Sequence, residues 1–247
     1  TVPTGWSLNS IFAKSSSVAW AVGPWATIIK TTNSGNNWIK QTLSDTNQFF
    51  QAVFFYDLDT GWIATNNGSI LKTTNGGTNW IVKPTGTNTP INSFYFPNYS
   101  NGFIVGGWDL PSSSLILKTT NGGNNWVTQT GPNLPLNSVY FTDINTGWAA
   151  GKWGAIIKTT NSGSNWINLH NGTNSYLLST YFSDINNGCA VGELGTILKT
   201  SNSGNSWNSV SIGTTNKLNS VFFINNSTGW IAADTGKIYK TTNAGTN

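Results

Sequence analysis

The sequence predicts an all-β protein, a six-bladed β-propeller of four-stranded antiparallel blades, and two observations predict this fold. The first is the phrase Lys-Thr-Thr-Asn-x-Gly-x-Asn-Trp, here called the hairpin phrase, which recurs in six near-copies. The copies begin at Lys30, Lys72, Lys118, Lys158, Lys199 and Lys240, so consecutive copies lie 42, 46, 40, 41 and 41 residues apart. The second is that only short strand-like segments and turns separate the copies. A period of about 40 to 45 residues made of strands is typical of one four-stranded blade per repeat. We therefore expect a single domain over residues 1–247, with six repeats of about 41 residues.

The first strand of each repeat is short, rich in β-branched and aromatic residues, and bounded by turn residues. It is predicted at residues 8–12, 52–55, 91–96, 136–141, 178–182 and 218–223. This composition suits an innermost strand that is packed on both faces. The turn that follows begins with an aspartate and ends with a glycine, as in residues 57–61, 143–147 and 184–188. We expect the aspartates to close Asx-turns and the glycines to supply a residue with positive φ.

Tryptophan marks the second and fourth strands of the repeat, while the third strand, residues 28–30 in the first repeat, leads into the hairpin phrase. The second strand begins at Trp20, Trp62, Phe103, Trp148, Cys189 and Trp230, and the fourth at Trp38, Trp80, Trp126, Trp166 and Trp207. Nine of the 13 tryptophans thus fall at two repeat positions. Burial of each contributes about 2 to 3 kcal/mol before entropic costs, so we interpret them as core wedges between blades. Cys189, the one cysteine, is expected to be a small buried apolar residue.

The ends of the chain suggest how the predicted ring of blades closes. The sixth hairpin phrase stops at Asn247, one residue short of its tryptophan, and Thr1-Val2-Pro3 stands where the end of a fourth strand is expected. Pairing of the N- and C-terminal segments in one shared blade satisfies the open edges at both ends of the array. Residues after Asn247 could equally begin a seventh blade.

Composition limits the classes of partner. Charged residues make up 8% of the chain and the net charge is +4, with 12 lysines and no arginine. Nucleic-acid binders usually carry clustered Lys and Arg, so no nucleic-acid partner is expected. There is no run of 18 apolar residues, and no transmembrane segment is expected. The start at Thr1, the absence of methionine and the abundance of Asn, Thr, Ser and Gly indicate a secreted or cell-surface protein, with the periplasm as alternative, that is part of a longer secreted chain or complex.

The hairpin phrase resembles the Asp-box of BNR-type repeats, Ser/Thr-x-Asp-x-Gly-x-Thr-Trp, as in Thr31-Thr32-Asn33-Ser34-Gly35-Asn36-Asn37-Trp38. Together with a Gly-Trp strand such as Thr146-Gly147-Trp148-Ala149-Ala150-Gly151, the repeat is most similar to the YCF48-type proteins, a group that includes photosystem II assembly factors. The resemblance covers the whole chain. It implies the fold, whereas Asp-boxes also occur in sialidases, sortilin-like receptors and xyloglucanases and so do not specify a function.

The chain departs from these families at identifiable residues. The Asp-box aspartate is replaced in every copy by asparagine, which keeps a turn-capping oxygen and removes the charge, at Asn33, Asn75, Asn121, Asn161, Asn202 and Asn243. YCF48-type assembly factors are seven-bladed and present arginines, whereas this chain has six repeats and none. A role in photosystem assembly is therefore not indicated by these residues.

No catalytic site is expected. The resemblance to sialidases implies three arginines that grip a carboxylate, and these are missing here. Other glycosidases need two carboxylates about 5 to 10 Å apart, and the candidates outside the repeated turns are Asp45, Asp109, Glu193 and Asp234. Glu193 and Asp234 occupy the same loop position in adjacent repeats and could face each other, or could be two solvated loop acids. His170 is the one histidine, so neither a histidine-rich metal site nor a cofactor is expected.

Two loop sets are candidate binding surfaces, and the third strand separates them because its two ends reach opposite faces of a propeller. At one end, the loops between second and third strands carry Trp25, Trp108 and Trp153 at one shared offset. Aromatic side chains in polar, glycine-rich loops often mark binding sites, although they could instead fold over and plug the central channel. We expect these three, with Glu193 and Asp234, to contact a ligand.

At the other end, each repeat places one lysine beside the hairpin, at the six positions that open the hairpin phrase. Repeated around a propeller, these lysines could form a basic ring that attracts an anionic partner. Alternatively, their ammonium groups could cap nearby carbonyl groups or keep the rim soluble.

These features favour a non-catalytic, secreted or surface-associated binding or assembly scaffold for a protein or glycan partner. A lectin-like module that stacks sugars on Trp25, Trp108 and Trp153 is the first alternative. A glycoside hydrolase that uses Glu193 and an aspartate is the second.

Overall fold

A computed structural model describes residues 5, 7–43, 47–110, 113–169 and 171–245. These residues form six antiparallel sheets, five with four strands and a last one with three, which are the blades of a β-propeller as predicted. The chain divides into two compact units, Thr1–Ile104 with Thr119–Val127, and Val105–Lys118 with Thr128–Asn247. The expectation of a single domain stays a prediction. The proposed pairing of the chain ends involves residues 1–4 and 246–247, which lie outside the described residues.

In the first unit, two whole blades pair their strands in chain order. Blade 1 contains β1 (Ser10–Ala13), β2 (Ala19–Gly23), β3 (Thr27–Thr31) and β4 (Ile39–Gln41), and blade 2 contains β5 (Phe50–Phe55), β6 (Gly61–Thr65), β7 (Ile70–Thr73) and β8 (Ile81–Lys83). The boundary between the units passes through blade 3, which contains β9 (Ile91–Tyr95), β10 (Gly102–Gly107), β11 (Ser114–Thr119) and β12 (Val127–Thr128).

The second unit contains the other three blades, again with strands paired in chain order. Blade 4 has β13 (Leu136–Phe141), β14 (Gly147–Gly151), β15 (Ile156–Thr159) and β16 (Ile167–Asn168), blade 5 has β17 (Leu177–Phe182), β18 (Gly188–Gly192), β19 (Ile197–Thr200) and β20 (Asn208–Val210), and blade 6 has β21 (Leu218–Phe223), β22 (Gly229–Ala233) and β23 (Ile238–Thr241). Short 3-10 turns at Lys152–Gly154, Glu193–Gly195 and Asp234–Gly236 join the second and third strands of these blades. Among the described residues, no helix has the length and apolarity needed to span a bilayer.

The second strand, and not the first, is the strand enclosed on both faces. All five residues of β2, β6, β14 and β18 are buried, whereas buried and half-buried residues alternate along β5, β13 and β17. The expected burial of the first strand on both faces is therefore wrong. The first strand is the edge of its sheet and has a strand neighbour on one side only, so its residues keep more accessible surface than those of the second strand, which is paired on both sides.

The turn between the first and second strands has the predicted Asx geometry but not the predicted glycine conformation. The Asp143 carboxylate accepts hydrogen bonds from the backbone N–H of Asn145 at 2.7 Å and of Thr146 at 2.8 Å. Gly147, however, does not have a positive φ. A Cβ at Gly147 would lie 2.6 Å from the ring of Phe141, so glycine is required here for close packing rather than for its backbone freedom.

Aromatic stacking between consecutive blades forms the core and confirms the predicted core role for Trp20, Trp80 and Trp148. Trp20 stacks on Phe55 of the next blade with a centroid separation of 3.5 Å, and Trp148 stacks on Phe182 at 3.7 Å. Both tryptophans are fully buried. The fourth-strand Trp80 meets the same Phe55 edge-on at 5.8 Å. Each such phenylalanine is thus held by two indoles, one from the preceding blade and one from its own.

A second interaction joins consecutive blades, and we call it the inter-blade clamp. Trp148 and Lys158 are direct partners across β14 and β15. The Lys158 ammonium lies 5.3 Å from the indole centroid of Trp148 and donates to the backbone carbonyl of Ser203 in the next blade at 2.9 Å. The Trp148 Nε1–H donates to the same carbonyl at 3.2 Å. In blade 1, Trp20 and Lys30 share the carbonyl of Gly76 in the same way.

The hairpin phrase builds the acceptor for this clamp. In blade 4 the Thr159 hydroxyl accepts from the backbone N–H of Gly163 at 2.9 Å, and the Asn161 side-chain oxygen accepts from the N–H of Asn165 at 2.9 Å. The side-chain amide oxygen of Asn161 therefore occupies the position of the Asp-box carboxylate and accepts the hydrogen bond within the turn. Ser162 and Gly163 both have left-handed backbones, with φ of 56° and 75°. This turn leaves the Ser162 carbonyl free to accept from Lys118 of the preceding blade at 2.7 Å.

Side chains of the first strands also connect neighbouring blades, which the sequence analysis did not anticipate. The Asn9 side-chain amide donates to the carbonyl of Phe50 at 2.8 Å, and the Ser10 hydroxyl accepts from the N–H of Val53 at 3.2 Å. Ser138 accepts from the N–H of Thr180 in the same manner. These bonds satisfy backbone groups at the edge of each sheet.

Loss of one clamp should destabilise the fold measurably. In Lys158→Met, the apolar stem is kept while the charged hydrogen bond and the cation–π contact are removed. Burial lowers the pKa of Lys158, so desolvation offsets part of the gain. We expect the free energy of unfolding to fall by about 1 to 2 kcal/mol, measured by urea denaturation. Lys40→Met, at an exposed position of β4, is the control and should change it by less than about 0.5 kcal/mol. Equal losses in the two variants would contradict the clamp.

Cys189 should be unreactive in the native protein. Its side chain is 4% exposed, and burial raises the pKa of the thiol to about 12. At pH 8 the thiolate fraction is then about a thousandfold smaller than for a free cysteine with a pKa of about 8.5. Reaction with Ellman's reagent should be slower in the native protein than in urea by at least that factor. Rapid labelling without urea would show that the thiol is accessible.

Candidate functional site

The loops between second and third strands in the second unit are rigidly held at both ends. In the Lys152–Gly154 turn, the first residue, Lys152, donates its backbone N–H to the Pro135 carbonyl at 3.0 Å. At its end, Gly154 N–H donates to the Ser175 carbonyl at the entry to blade 5, at 2.9 Å. The Glu193–Gly195 turn repeats both bonds one blade further along. The middle residue of each turn is therefore presented on a fixed backbone.

These middle residues have an unfavourable backbone conformation. Trp153, Leu194 and Thr235 have φ values of 52°, 55° and 63°, and Trp25, in the first unit, has 57°. For a residue other than glycine, the left-handed conformation costs roughly 1 to 2 kcal/mol. Strained backbone positions that the surrounding structure enforces are concentrated at ligand sites. Each of the four loops thus contains a non-glycine residue whose left-handed backbone lowers the stability of the fold.

Within the second unit, Asp109, Lys152, Trp153, Tyr176 and Glu193 form a connected group, which we call the loop cluster. The Lys152 ammonium is 2.6 Å from a carboxylate oxygen of Asp109 and 5.5 Å from the ring centroid of Tyr176. Trp153 packs edge-on against Tyr176 at a centroid distance of 5.7 Å. Lys152 is only 15% exposed whereas Asp109 is 66% exposed. The ion pair therefore links the loop of Trp108 in blade 3 to the loop of Trp153 in blade 4.

The charges of the loop cluster act on its central phenol. Partial desolvation, and then the negative charges of Asp109 and Glu193, raise the pKa of Tyr176 above its usual value. The hydroxyl group is protonated at neutral pH, as in an ordinary tyrosine, and can donate a hydrogen bond; the raised pKa extends this to more alkaline pH. The cluster combines one phenol donor, one ammonium group and two carboxylates around an aromatic face, which is a set suited to polar recognition with an aromatic contact.

Exposed apolar side chains border the loop cluster. Trp108 is 51% exposed, Leu110 is 62% exposed and Leu194 is 74% exposed. Apolar side chains grouped around a polar centre are typical of contact surfaces for partners. We call these three residues the apolar border.

Each predicted tryptophan occupies a loop with part of its ring in solvent. In the first unit, Trp25 is 45% exposed and lies 4.8 Å from the ring of Phe49. Trp108 and Trp153 belong to the second unit and lie on loops joined by the ion pair described above. That Trp25 shares one surface with the other two stays a prediction.

The predicted carboxylate candidates have separate neighbours. The Asp234 carboxylate accepts from the Asn219 side-chain amide at 2.7 Å, whereas Glu193 acts on Tyr176. Asp109 is bound to Lys152. Asp45 and His170 lie outside the described residues. Within the part of the chain that the structure describes, no group of three or more His, Cys, Asp or Glu is arranged to hold a metal ion.

The lysines beside the hairpins bind backbone carbonyl groups, which is the second of the two roles considered for them in the sequence. Four of them donate to a hairpin carbonyl of the following blade, at 2.7 to 2.9 Å: Lys30, Lys72, Lys118 and Lys158. Lys240 lies 5.6 Å from the ring of Trp230, and the Lys199 side chain reaches the hairpin of blade 6. Attraction of an anionic partner stays a prediction.

Sequence reasoning missed Tyr176 and Lys152 as site residues. A signal was present for Tyr176, because it directly precedes the first strand of its blade, where Pro135 and Lys217 supply backbone acceptors to their own loops. Lys152 carried no signal, because its partner Asp109 is 43 residues away and in a different repeat.

Comparison with known proteins gives the fold. No family model and no curated protein sequence matches the chain. Among solved structures, YCF48 from Cyanidioschyzon merolae is similar with a TM-score of 0.71 at 14% identity, over 100% of this chain and 98% of that one. A structure of YCF48 bound to D1 peptide gives 0.55 at 19% identity, over 98% and 94%. The GH74 xyloglucanase from Xanthomonas campestris gives 0.76 at 10% identity, over 96% of this chain but 45% of the enzyme. The chain therefore has a YCF48-like propeller fold that glycoside hydrolases also use.

The strain at the loop tips can be measured at Leu194. Asparagine tolerates the left-handed backbone, and the exposed leucine side chain has little packing to lose. We expect Leu194→Asn to raise the free energy of unfolding by about 0.5 to 1 kcal/mol in urea denaturation. Leu58→Asn, at a 49% exposed leucine without a positive φ, is the control and should give no gain. A loss of stability at Leu194 would show that the backbone there is not strained.

Proposed function

We propose that this propeller is a non-catalytic, secreted or surface-associated binding or assembly scaffold, and that its partner docks on the loop cluster and the apolar border. The observation that carries the proposal is the combination of exposed Trp108, Leu110 and Leu194 with a polar centre that is fixed by the Asp109–Lys152 ion pair. Interfaces generally use a few large apolar side chains beside polar groups that fix orientation. A protein segment fits this chemistry.

Three further observations support a protein partner. The turns that present Trp153 and Leu194 are fixed by backbone hydrogen bonds at both ends, so little conformational entropy of these turns is lost on binding. The Tyr176 phenol and the half-covered carboxylates can bond to backbone or side-chain groups of an extended segment. A protein with the same fold, YCF48, has been solved with a bound D1 peptide.

A glycan-binding, lectin-like module is the second candidate. It is favoured by the exposure of Trp25 and Trp108, at 45% and 51%, because sugar rings stack on such indole faces. A glycoside hydrolase is supported only by the shared fold of GH74 enzymes and by Glu193 beside a tyrosine. The carboxylate that acts on the same phenol as Glu193 is Asp109, and it is already paired with the Lys152 ammonium, while Asp234 has an amide partner.

The protein hypothesis is tested by screening the whole chain on arrays of tiled peptides and of glycans. The Trp108→Ala, Leu194→Ala double variant should weaken binding to every peptide hit by at least tenfold, because truncation of central apolar anchors costs about 1 to 2 kcal/mol each. The control is Ile81→Ala with Val127→Ala, two apolar residues of fourth strands that are 62% and 63% exposed. Hits unaffected by the first pair would exclude this surface.

The alternatives give different outcomes in the same screen. Glycan hits that disappear in Trp25→Ala with Trp153→Ala would favour the lectin-like module. Release of reducing sugar from any oligosaccharide, lost in Glu193→Gln, would favour the hydrolase.

A further inference from the structure

Blade 5 lacks the indole that blades 1, 2 and 4 insert between blades, and blade 3 carries Phe103 at this position. Trp20, Trp62 and Trp148 each stack on a phenylalanine of the following blade, at centroid distances of 3.5, 3.9 and 3.7 Å. The equivalent residue of blade 5 is Cys189, and the phenylalanine that follows is Phe223. A cysteine side chain is far smaller than an indole. At this position the structure has a cavity of about 210 Å³, lined by Tyr181, Cys189, Lys199, Phe223, Asn226 and Ala244 among others.

The other members of the inter-blade clamp are present around this cavity. Lys199 is the cross-strand partner of Cys189, as Lys158 is of Trp148. The Lys199 ammonium reaches the next hairpin and would lie 3.9 Å from a Cβ at Gly245. Thus the cation that covers an indole elsewhere is in place here without the indole.

The acceptor for an indole N–H is also in place. Ala244 follows Lys240 by four residues, as Ser203 follows Lys199, and the two residues have nearly equal φ values of 60° and 61°. The Ser203 carbonyl is the group to which Trp148 Nε1–H donates. Ala244 lines the Cys189 cavity, and its carbonyl is the equivalent of the Ser203 acceptor.

We propose that the Cys189 cavity binds a free planar aromatic ligand of the indole class. The ring lies face-on against Phe223 and beneath the Lys199 ammonium, and its N–H donates to the Ala244 carbonyl. The binding is noncovalent. It is independent of the loop cluster, because none of the loop-cluster residues lines this cavity.

The size of the cavity agrees with this ligand, because an apolar protein cavity of about 150 Å³ is sufficient to bind benzene and the present cavity is larger. This cavity differs from an enclosed apolar one in that it is open to solvent, and its lining includes polar side chains such as Lys199 and Asn226 beside the ring of Phe223. Stacking on an aromatic face, a cation over the ring and contact with a polarizable sulfur each favour an aromatic ligand over an aliphatic one. The carbonyl acceptor adds selectivity for a ring that carries an N–H.

The probe is indole itself, measured by calorimetry and by thermal unfolding of the whole chain. At ten times the dissociation constant, the unfolding equilibrium constant should fall about elevenfold, which raises the Tm by about 3 to 6 °C. Cys189→Trp should unfold at a higher temperature without indole and should not respond to it. Cys189→Ala keeps the cavity and should respond as the wild type does. N-methylindole, which lacks the donor, should bind about fivefold more weakly.

A second variant keeps the proposal testable if Cys189→Trp does not fold. Trp148→Cys builds the same cavity in blade 4, so the stoichiometry of indole binding should rise from one to two, and indole should restore part of the lost thermal stability. The proposal is overturned if millimolar indole leaves the Tm of wild type and Cys189→Ala unchanged. It is equally overturned if Cys189→Trp binds indole as the wild type does, or if Trp148→Cys gains no site.

Discussion

Consecutive blades depend on one backbone carbonyl at the tip of each hairpin. In blade 5 this is the carbonyl of Ser203, which receives both an indole N–H and an ammonium group from blade 4. A buried indole donor without an acceptor costs about 1 to 3 kcal/mol. The neighbouring blade supplies the acceptor for Trp20 and Trp148, whereas the buried Trp62 Nε1 has no hydrogen-bond partner among the described residues. The left-handed turn that exposes the acceptor carbonyl follows from the hairpin phrase. The repeated phrase is therefore both a local turn and the contact that connects one blade to the next.

The clamp and the aromatic stack also explain where the chain can vary. The second strand is enclosed on both faces and the hairpin is fixed by threonine and asparagine hydrogen bonds, so a substitution in either one changes the packing between blades. The loops between second and third strands take no part in the clamp or in the aromatic stack. They hold the strained Trp153 and Leu194, the Asp109–Lys152 ion pair and the exposed Trp108 and Leu110. A rigid scaffold with variable loops at one end of its strands is a common arrangement for recognition.

Blade 5 shows what happens when one member of this repeat changes. Replacement of the indole by Cys189 leaves the lysine, the hairpin and the next phenylalanine in their usual places, because each is held by its own sheet. The cavity lies beside Cys189, between blade 5 and the three described strands of blade 6, and the smaller side chain contributes to its volume. Because the surrounding repeat positions are kept, the small side chain of Cys189 borders a cavity whose walls are the residues that enclose an indole in other blades.

The amino-acid sequence alone determined the fold class, the order of the strands, the wedge role of the tryptophans and the buried state of Cys189. Each of these follows from residues at fixed positions within a repeat of about 41 residues. Only the tertiary structure decided that Gly147 is needed for contact with Phe141, that Lys158 donates to Ser203 and that Lys152 joins Asp109 to Tyr176. These contacts join residues that are distant in the chain or belong to different repeats. Their partners depend on how one sheet packs on the next, which no local pattern records.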